Sequence, residues 1–178
     1  SSGLQEWYSS QGFYDGHFIW YDYFVSEREL ITVTSIKKSD EGSNYSYKWS
    51  GYFIPKESAD YTFRTISDEM SHVIIDSTVI VSNTEVTSEG SIFLDKHVAY
   101  PILIYFGEKE GGAEMEFFWR GGSQTEFTDD LSSFFYVVDD PSFVIDDYEI
   151  FYQLIDQNVI NIAQKDAEFG NVLRNNGA

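Results

Sequence analysis

The sequence predicts an all-β fold, two antiparallel sheets stacked as a sandwich. Three observations predict it. Aromatic residues fill 18% of the 178 positions, with 13 Tyr and 15 Phe, and such side chains suit a pleated, half-buried surface better than a helix. About ten short apolar stretches are separated by turn residues at regular intervals. Within several of these stretches apolar and polar residues alternate with period two, which buries one face of a strand.

Taken in order, residues 1–16 are rich in Ser, Gly and Tyr without a period, and read as a lead-in pinned to the body by Trp7 and Tyr8. The sandwich is expected over residues 17–140, starting with an aromatic strand from His17 to Val25 and a β-branched one from Leu30 to Ser35. Lys37 to Asn44 reads as a polar loop, and Asn44-Tyr45-Ser46 is a glycosylation sequon that this chain gives no reason to think is used. Trp49, Tyr52 and Phe53 end an apolar run, and Pro55-Lys56-Glu57-Ser58 turns the chain. Tyr61, Phe63 and Thr65 alternate with Thr62 and Arg64; Ser67-Asp68-Glu69-Met70 is a short acidic loop; Val73 and Ile75 resume the alternation up to a turn at Asp76-Ser77.

Short strands follow at Thr78–Val81 and Ser91–Leu94. Tyr100 to Phe106 is apolar on both faces, Ile102, Ile104 and Phe106 against Leu103 and Tyr105, as expected of a central strand. Pro101 lacks a donor and belongs at that strand's start. Ala113, Met115, Phe117 and Trp119 share a face opposite Glu114 and Glu116, Gly121-Gly122-Ser123 breaks the pattern, and Ser132 to Val138 supplies a last strand. Residues 141–178 behave differently. Phe151, Leu154, Ile155, Val159 and Ile162 fall on one stripe of a helix, with Asp146 and Glu149 at capping-box spacing, so an appendage with a helix is expected there. Its apolar stripe packs either on its own domain or, through residues 142–178, on a neighbouring subunit.

Charge narrows the function. Thirty acidic residues against 11 basic give a net −19, which opposes contact with phosphate backbones or anionic lipid. No apolar run approaches the roughly 20 residues that span a bilayer, so membrane insertion is not expected. With no cysteine there is no disulfide framework, thiol nucleophile or cysteine-based zinc site. His17, His72 and His97 are too scattered to form a metal-ligand motif, and no nucleophile elbow, phosphate loop or dinucleotide fingerprint appears. The chain reads as non-catalytic.

Three motifs in order, the acidic loop between two strands at Asp68-Glu69, the Tyr100-Pro101-Ile102 strand running to Phe106-Gly107-Glu108, and Gly111-Gly112-Ala113 before the strand to Trp119, resemble the domain family first known from anthrax protective antigen. The yeast flocculin and GLEYA adhesin lectins share that fold, and copies in marine phage structural proteins look most similar around Phe106-Gly107-Glu108. The resemblance covers about residues 12 to 138 and implies the same sandwich. In the lectin members two consecutive aspartates hold a calcium ion with an Asn and backbone carbonyls from a second loop, and the ion grips sugar hydroxyls. Carried over, the resemblance implies ligand binding by Asp68, Glu69, Gly107, Glu108 and Gly111, with calcium on Asp68, Glu69 and Glu108. The pattern departs from the family at two places, since Glu69 replaces the second aspartate and Gly107 or Glu108 stands where the Asn would be. The alternative at the residues is an acidic loop whose Asp68 caps a turn.

Trp7, Trp20, Tyr21 and Tyr23 are candidate sugar-stacking platforms, set against the commoner fate of an aromatic in a sandwich, the core. The expected function is recognition or adhesion on an extracellular or virion surface, with cell-surface glycans as partners. The competing expectation is a structural, decorating domain of a phage particle or large adhesin.

Overall fold

The computed structural model describes residues 1–11, 24–68 and 70–137. The strand expected from His17 reaches these only at Phe24 and Val25, which lie outside any strand, and the appendage and its stripe lie outside the described residues. All regular structure among the described residues is strand: β1 (Leu4–Ser9), β2 (Ile31–Val33), β3 (Lys37–Ser39), β4 (Tyr45–Phe53), β5 (Ala59–Asp68), β6 (Met70–Ile75), β7 (Thr78–Asn83), β8 (Thr87–Leu94), β9 (Tyr100–Glu108), β10 (Glu114–Gly121), β11 (Gln124–Thr128) and β12 (Phe135–Tyr136). They form two sheets. The larger runs β2-β1-β4-β9-β6-β7, with β12 beside the stretch of β4 that β1 does not reach. The smaller runs β11-β10-β5-β8, with β3 beside the opposite half of β10 from β11.

Every neighbouring pair is antiparallel, so strand ends collect at two poles. One pole, here the base, holds the turns 54–58, 76–77, 95–99 and 122–123. The other, the apex, holds the end of β1, the turn 40–44, the corner between Asp68 and Met70, the turn 84–86 and the loop 109–113. Asp76 and Ser77 at the base have φ of 50° and 65° and join Ile75 to Thr78, the two positive angles a two-residue hairpin turn needs to match strand twist.

Alternation explains the core. Tyr47, Trp49 and Phe53 of β4, Tyr61 and Phe63 of β5, Val73 and Ile75 of β6, Ile102, Ile104 and Phe106 of β9, and Met115, Phe117 and Trp119 of β10 all point between the sheets and are buried. At the base Phe53 sits among the rings of Phe135, Tyr61, Phe63, Trp119 and Phe134, at centroid distances from 5.0 to 5.8 Å. Offset and edge-on pairs of this kind add about 0.5–1.5 kcal/mol each beyond the area they bury. β9 lies between β4 and β6 as its two apolar faces require; its outward Leu103 and Tyr105 join Phe24, Trp7 and Ile74 in a second, smaller cluster.

Three parts of the chain differ from expectation. Residues 4–9, read as lead-in, form β1 inside the larger sheet, between β2 and β4. The inward positions are Leu4, Glu6 and Tyr8, and Glu6 conceals the period. Its carboxylate accepts from Trp49 Nε1 at 3.0 Å and meets Lys38 Nζ at 3.1 Å across the gap between the sheets. The polar loop expected over residues 37–44 begins as β3, an edge strand whose register puts Lys38 opposite buried Met115. β11, unforeseen, is an edge strand of partly and fully exposed residues.

Residues at both ends of the described sandwich close the base. Ser1 and Val137 exchange backbone hydrogen bonds of 3.1 and 2.8 Å, and Gly3 N donates to Phe135 O at 2.8 Å.

Candidate functional site

Strand registers bring the acidic corner and the glycine-rich loop to the same pole. Asp68 ends β5 opposite Glu114 of β10, while Met70 opens β6 opposite Gly107 of β9. The crossover from one sheet to the other at Asp68 therefore runs beside the crossover through residues 109–113. Of the residues singled out from sequence, Asp68 and Gly111 are exposed at this apex, Gly111 with φ of 89° in the left-handed region that glycine tolerates.

Gly107 and Glu108 stand just inside this pole. Both are buried in the last two positions of β9, because β4 continues to Tyr45 and pairs Ser46 with Gly107 and Tyr45 with Glu108. The open loop thus starts at Lys109, and the Glu108 side chain lies beneath the apex rather than on it. Glu69 is outside the described residues. Trp7 is on the flank of the larger sheet, its Nε1 donating to Ser50 Oγ at 2.9 Å and its ring under Lys48 Nζ at 4.3 Å. Trp20, Tyr21 and Tyr23 also fall outside the described residues.

The apex is tied together by polar contacts. On one side, Arg28 stacks on Tyr8 with its guanidinium carbon 3.5 Å from the ring centroid, and donates to Tyr47 Oη at 3.1 Å. Tyr47 in turn donates to Glu41, with Oη 2.7 Å from Oε2. Burial first, then the Glu41 carboxylate, pushes the Tyr47 hydroxyl far up from its usual range, so it remains a donor. Tyr45, next to it, is pushed up to about 12 by burial and, to a lesser extent, by Glu41, Glu108 and Asp40. Asn44, with φ of 56°, gives its N–H to Lys109 O at 2.9 Å, so the 40–44 turn props the glycine-rich loop.

On the other side, the inward faces of β5, β6 and β7 turn from apolar to polar as they near the apex. Thr65, Ser67, Ser71 and Asn83 are all fully buried. Ser67 and Ser71 hydroxyls are 2.6 Å apart, and Ser71 donates to Thr65 Oγ1 at 2.9 Å. Asn83 Nδ2 donates to Val86 O at 3.1 Å and to Thr65 Oγ1 at 3.2 Å, while Asn83 Oδ1 accepts from Glu85 N at 2.9 Å. Sequence reasoning passed over this network. Its only signal was hydroxyl and amide residues at strand positions that alternation assigns to the core.

Chemically, the apex offers an exposed carboxylate at Asp68, further exposed acids at Glu110 and Glu114, and free backbone at Gly111 and Gly112. An added Cβ at Gly112 would meet nothing within 4 Å. A calcium ion wants six to eight oxygens at about 2.3–2.6 Å. Among the described residues no three His, Asp or Glu side chains are grouped so that they could hold a metal ion, and Glu108 is buried at the end of β9.

A two-sheet antiparallel sandwich that gathers its connections at two poles is a scaffold for presenting loops. The profile of the PA14 domain, the protective-antigen fold, matches residues 1–133, and the chain belongs to that family. Solved structures with this fold include an anti-sigma factor domain-containing protein, 19% identical with a TM-score of 0.64 over 79% of this chain and 50% of that one. The chain thus spans about half of that relative's length. The Epithelial Adhesin 9 A domain from Candida glabrata, in complex with Galβ1-4GlcNAc, is 16% identical with a TM-score of 0.63, covering 79% of this chain and 91% of the adhesin domain. A PA14 sugar-binding domain from an RTX adhesin is 14% identical, with a TM-score of 0.56 over 71% of this chain and 93% of that one. At these identities the likeness is one of fold. Among curated proteins none matches the chain. No helix among the described residues is long and apolar enough to cross a membrane.

Proposed function

We propose that this domain is a non-catalytic carbohydrate-recognition module that works on an extracellular or particle surface and binds through its apex. The observation that carries the reading is the meeting of the Asp68 corner with the 109–113 loop at the pole opposite the Ser1–Val137 junction. A ligand held there is presented away from the point where the described chain enters and leaves. Asp68 is an acceptor for sugar hydroxyls, and the bare backbone at Gly111 and Gly112 allows a ring to approach closely. The glycan-bound adhesin domain and the sugar-binding RTX domain support the ligand class, since both share this fold.

Calcium assistance, implied by the family resemblance, is tested in the same experiment. The full chain would be applied to a glycan array that includes Galβ1-4GlcNAc, in millimolar calcium chloride and in chelator, beside Asp68→Asn. Capture of specific glycans, reduced about tenfold or more by Asp68→Asn at unchanged melting temperature, is the expected result. An array without hits would overturn the reading. Self-association lost on deleting residues 142–178 would then favour the assembly role.

A further inference from the structure

We propose that Asn83, which lies under the apex and out of reach of any surface ligand, is a positioning residue that sets the geometry of the Asp68 corner. Only its consequence for sugar capture rests on the function proposed above. At this corner the chain leaves the smaller sheet at Asp68 and enters the larger one at Met70. Ladder pairs run up to the corner on both sides, Asp68 with Glu114 and Met70 with Gly107, but none of them joins one sheet to the other. What joins the sheets across the corner is the buried polar network. The Ser67–Ser71 contact of 2.6 Å spans the corner directly, joining the two sheets on either side of it. Ser67 N also donates to Val86 O at 2.9 Å, so the residue before Asp68 is tied to the 84–86 turn.

Asn83 is the hub of this arrangement. Its amide nitrogen reaches Val86 O, Thr65 Oγ1 and, at 3.3 Å, Thr65 O, while its oxygen takes Glu85 N. One side chain therefore fixes both the end of β5 and the turn against which Ser67 is bonded. Asn83 is fully buried, with partners at both ends of its amide, and such a closed set of hydrogen bonds holds or fails largely as a unit. An apolar residue would fill the same space between Val81 and the corner but would direct nothing. The polar side chain selects one backbone path out of β5.

The test uses the full chain, with Asn83→Ala, Asn83→Asp and Ser71→Ala compared with the unaltered protein. Asn83→Asp keeps the acceptor for Glu85 N and loses both donors, so it separates the two halves of the hub. Amide hydrogen exchange is read at Ser67, Ser71 and Glu85 near the corner and at Ile104 and Trp49 in the middle of the larger sheet. We expect exchange at the corner to rise about tenfold or more in each variant, with the mid-sheet amides changing far less, as in local opening. Capture of Galβ1-4GlcNAc should fall about tenfold, because a site that loosens by about 1 Å forfeits its alignment. Equal acceleration at all five amides would mean that Asn83 serves global stability only, and would overturn the proposal. So would local opening with undiminished capture. If the unaltered chain captures no glycan, the functional reading fails while the exchange pattern still decides whether Asn83 sets the corner.

Discussion

The two poles of the sandwich are held by different physics. At the base, Phe53 is packed by five other rings and the paired segments at Ser1 and Val137 seal the end. Near the apex the inward residues of β5, β6 and β7 are hydroxyls and an amide held by directed hydrogen bonds, and Tyr47 of β4 donates to Glu41. Packing is tolerant of shape but costly to remove; hydrogen bonds contribute little net stability but fix direction. The contrast assigns thermodynamic stability to the base and geometric definition to the apex.

The largest effect expected from breaking this contrast is at the base. Phe53→Ala should lower the unfolding free energy by about 3–5 kcal/mol, since it leaves a cavity within a ring cluster that cannot easily collapse. Urea titration measures it, and a loss under about 1 kcal/mol would show that the cluster is not where stability resides.

Next comes His72, between the poles on β6, 3% exposed, its imidazole lowered by burial from 6.5 to about 4. The neutral ring is favoured in the folded protein, so as pH falls below 6.5 the unfolded chain takes up its proton first. Stability contributed by the neutral ring is complete above pH 6.5, is lost between there and about 4, and then levels off. At roughly 1.4 kcal/mol per unit the loss is about 3 kcal/mol. Unfolding free energies at pH 7 and pH 4 for the protein and for His72→Gln would show it as the difference between the two pH slopes; parallel slopes would exclude it.

The smallest and most pointed comparison is between two glycines. A Cβ at Gly51, towards the base, would lie 2.6 Å from Tyr136 O and 2.7 Å from Leu4 Cδ2, whereas one at Gly112 meets open space. Gly51→Ala should cost about 1–3 kcal/mol by forcing backbone apart, and Gly112→Ala should stay within about 0.5 kcal/mol. Thermal melts of both variants rank them directly. Similar losses in both would mean that the apex is packed as tightly as the base.

The same division decided what was legible from sequence. Where packing rules, the chain announces itself: alternation in Tyr61, Phe63 and Thr65, and the two apolar faces of the Tyr100–Phe106 run, pointed to strands that the structure contains, with β9 at the centre. Where single polar groups were buried by pairing, the pattern broke. Glu6 hid β1, because a charge at an inward position looks like a loop until Trp49 and Lys38 are seen beside it. The glycine-rich loop began two residues late because β4 and β9 go on pairing past Phe106, a long-range fact that local composition does not carry. The nearness of Asp68 to that loop followed from family resemblance and order of motifs. The Asn83 hub had no local signature, since its tie to β5 goes to Thr65, 18 positions away in the chain.

The Ser1–Val137 pairing has a mechanical consequence. A load applied between Asp68 and the Ser1–Val137 pairing would run lengthwise along the strands of the two sheets. Rows of ladder bonds would then have to shear together instead of unzipping in succession.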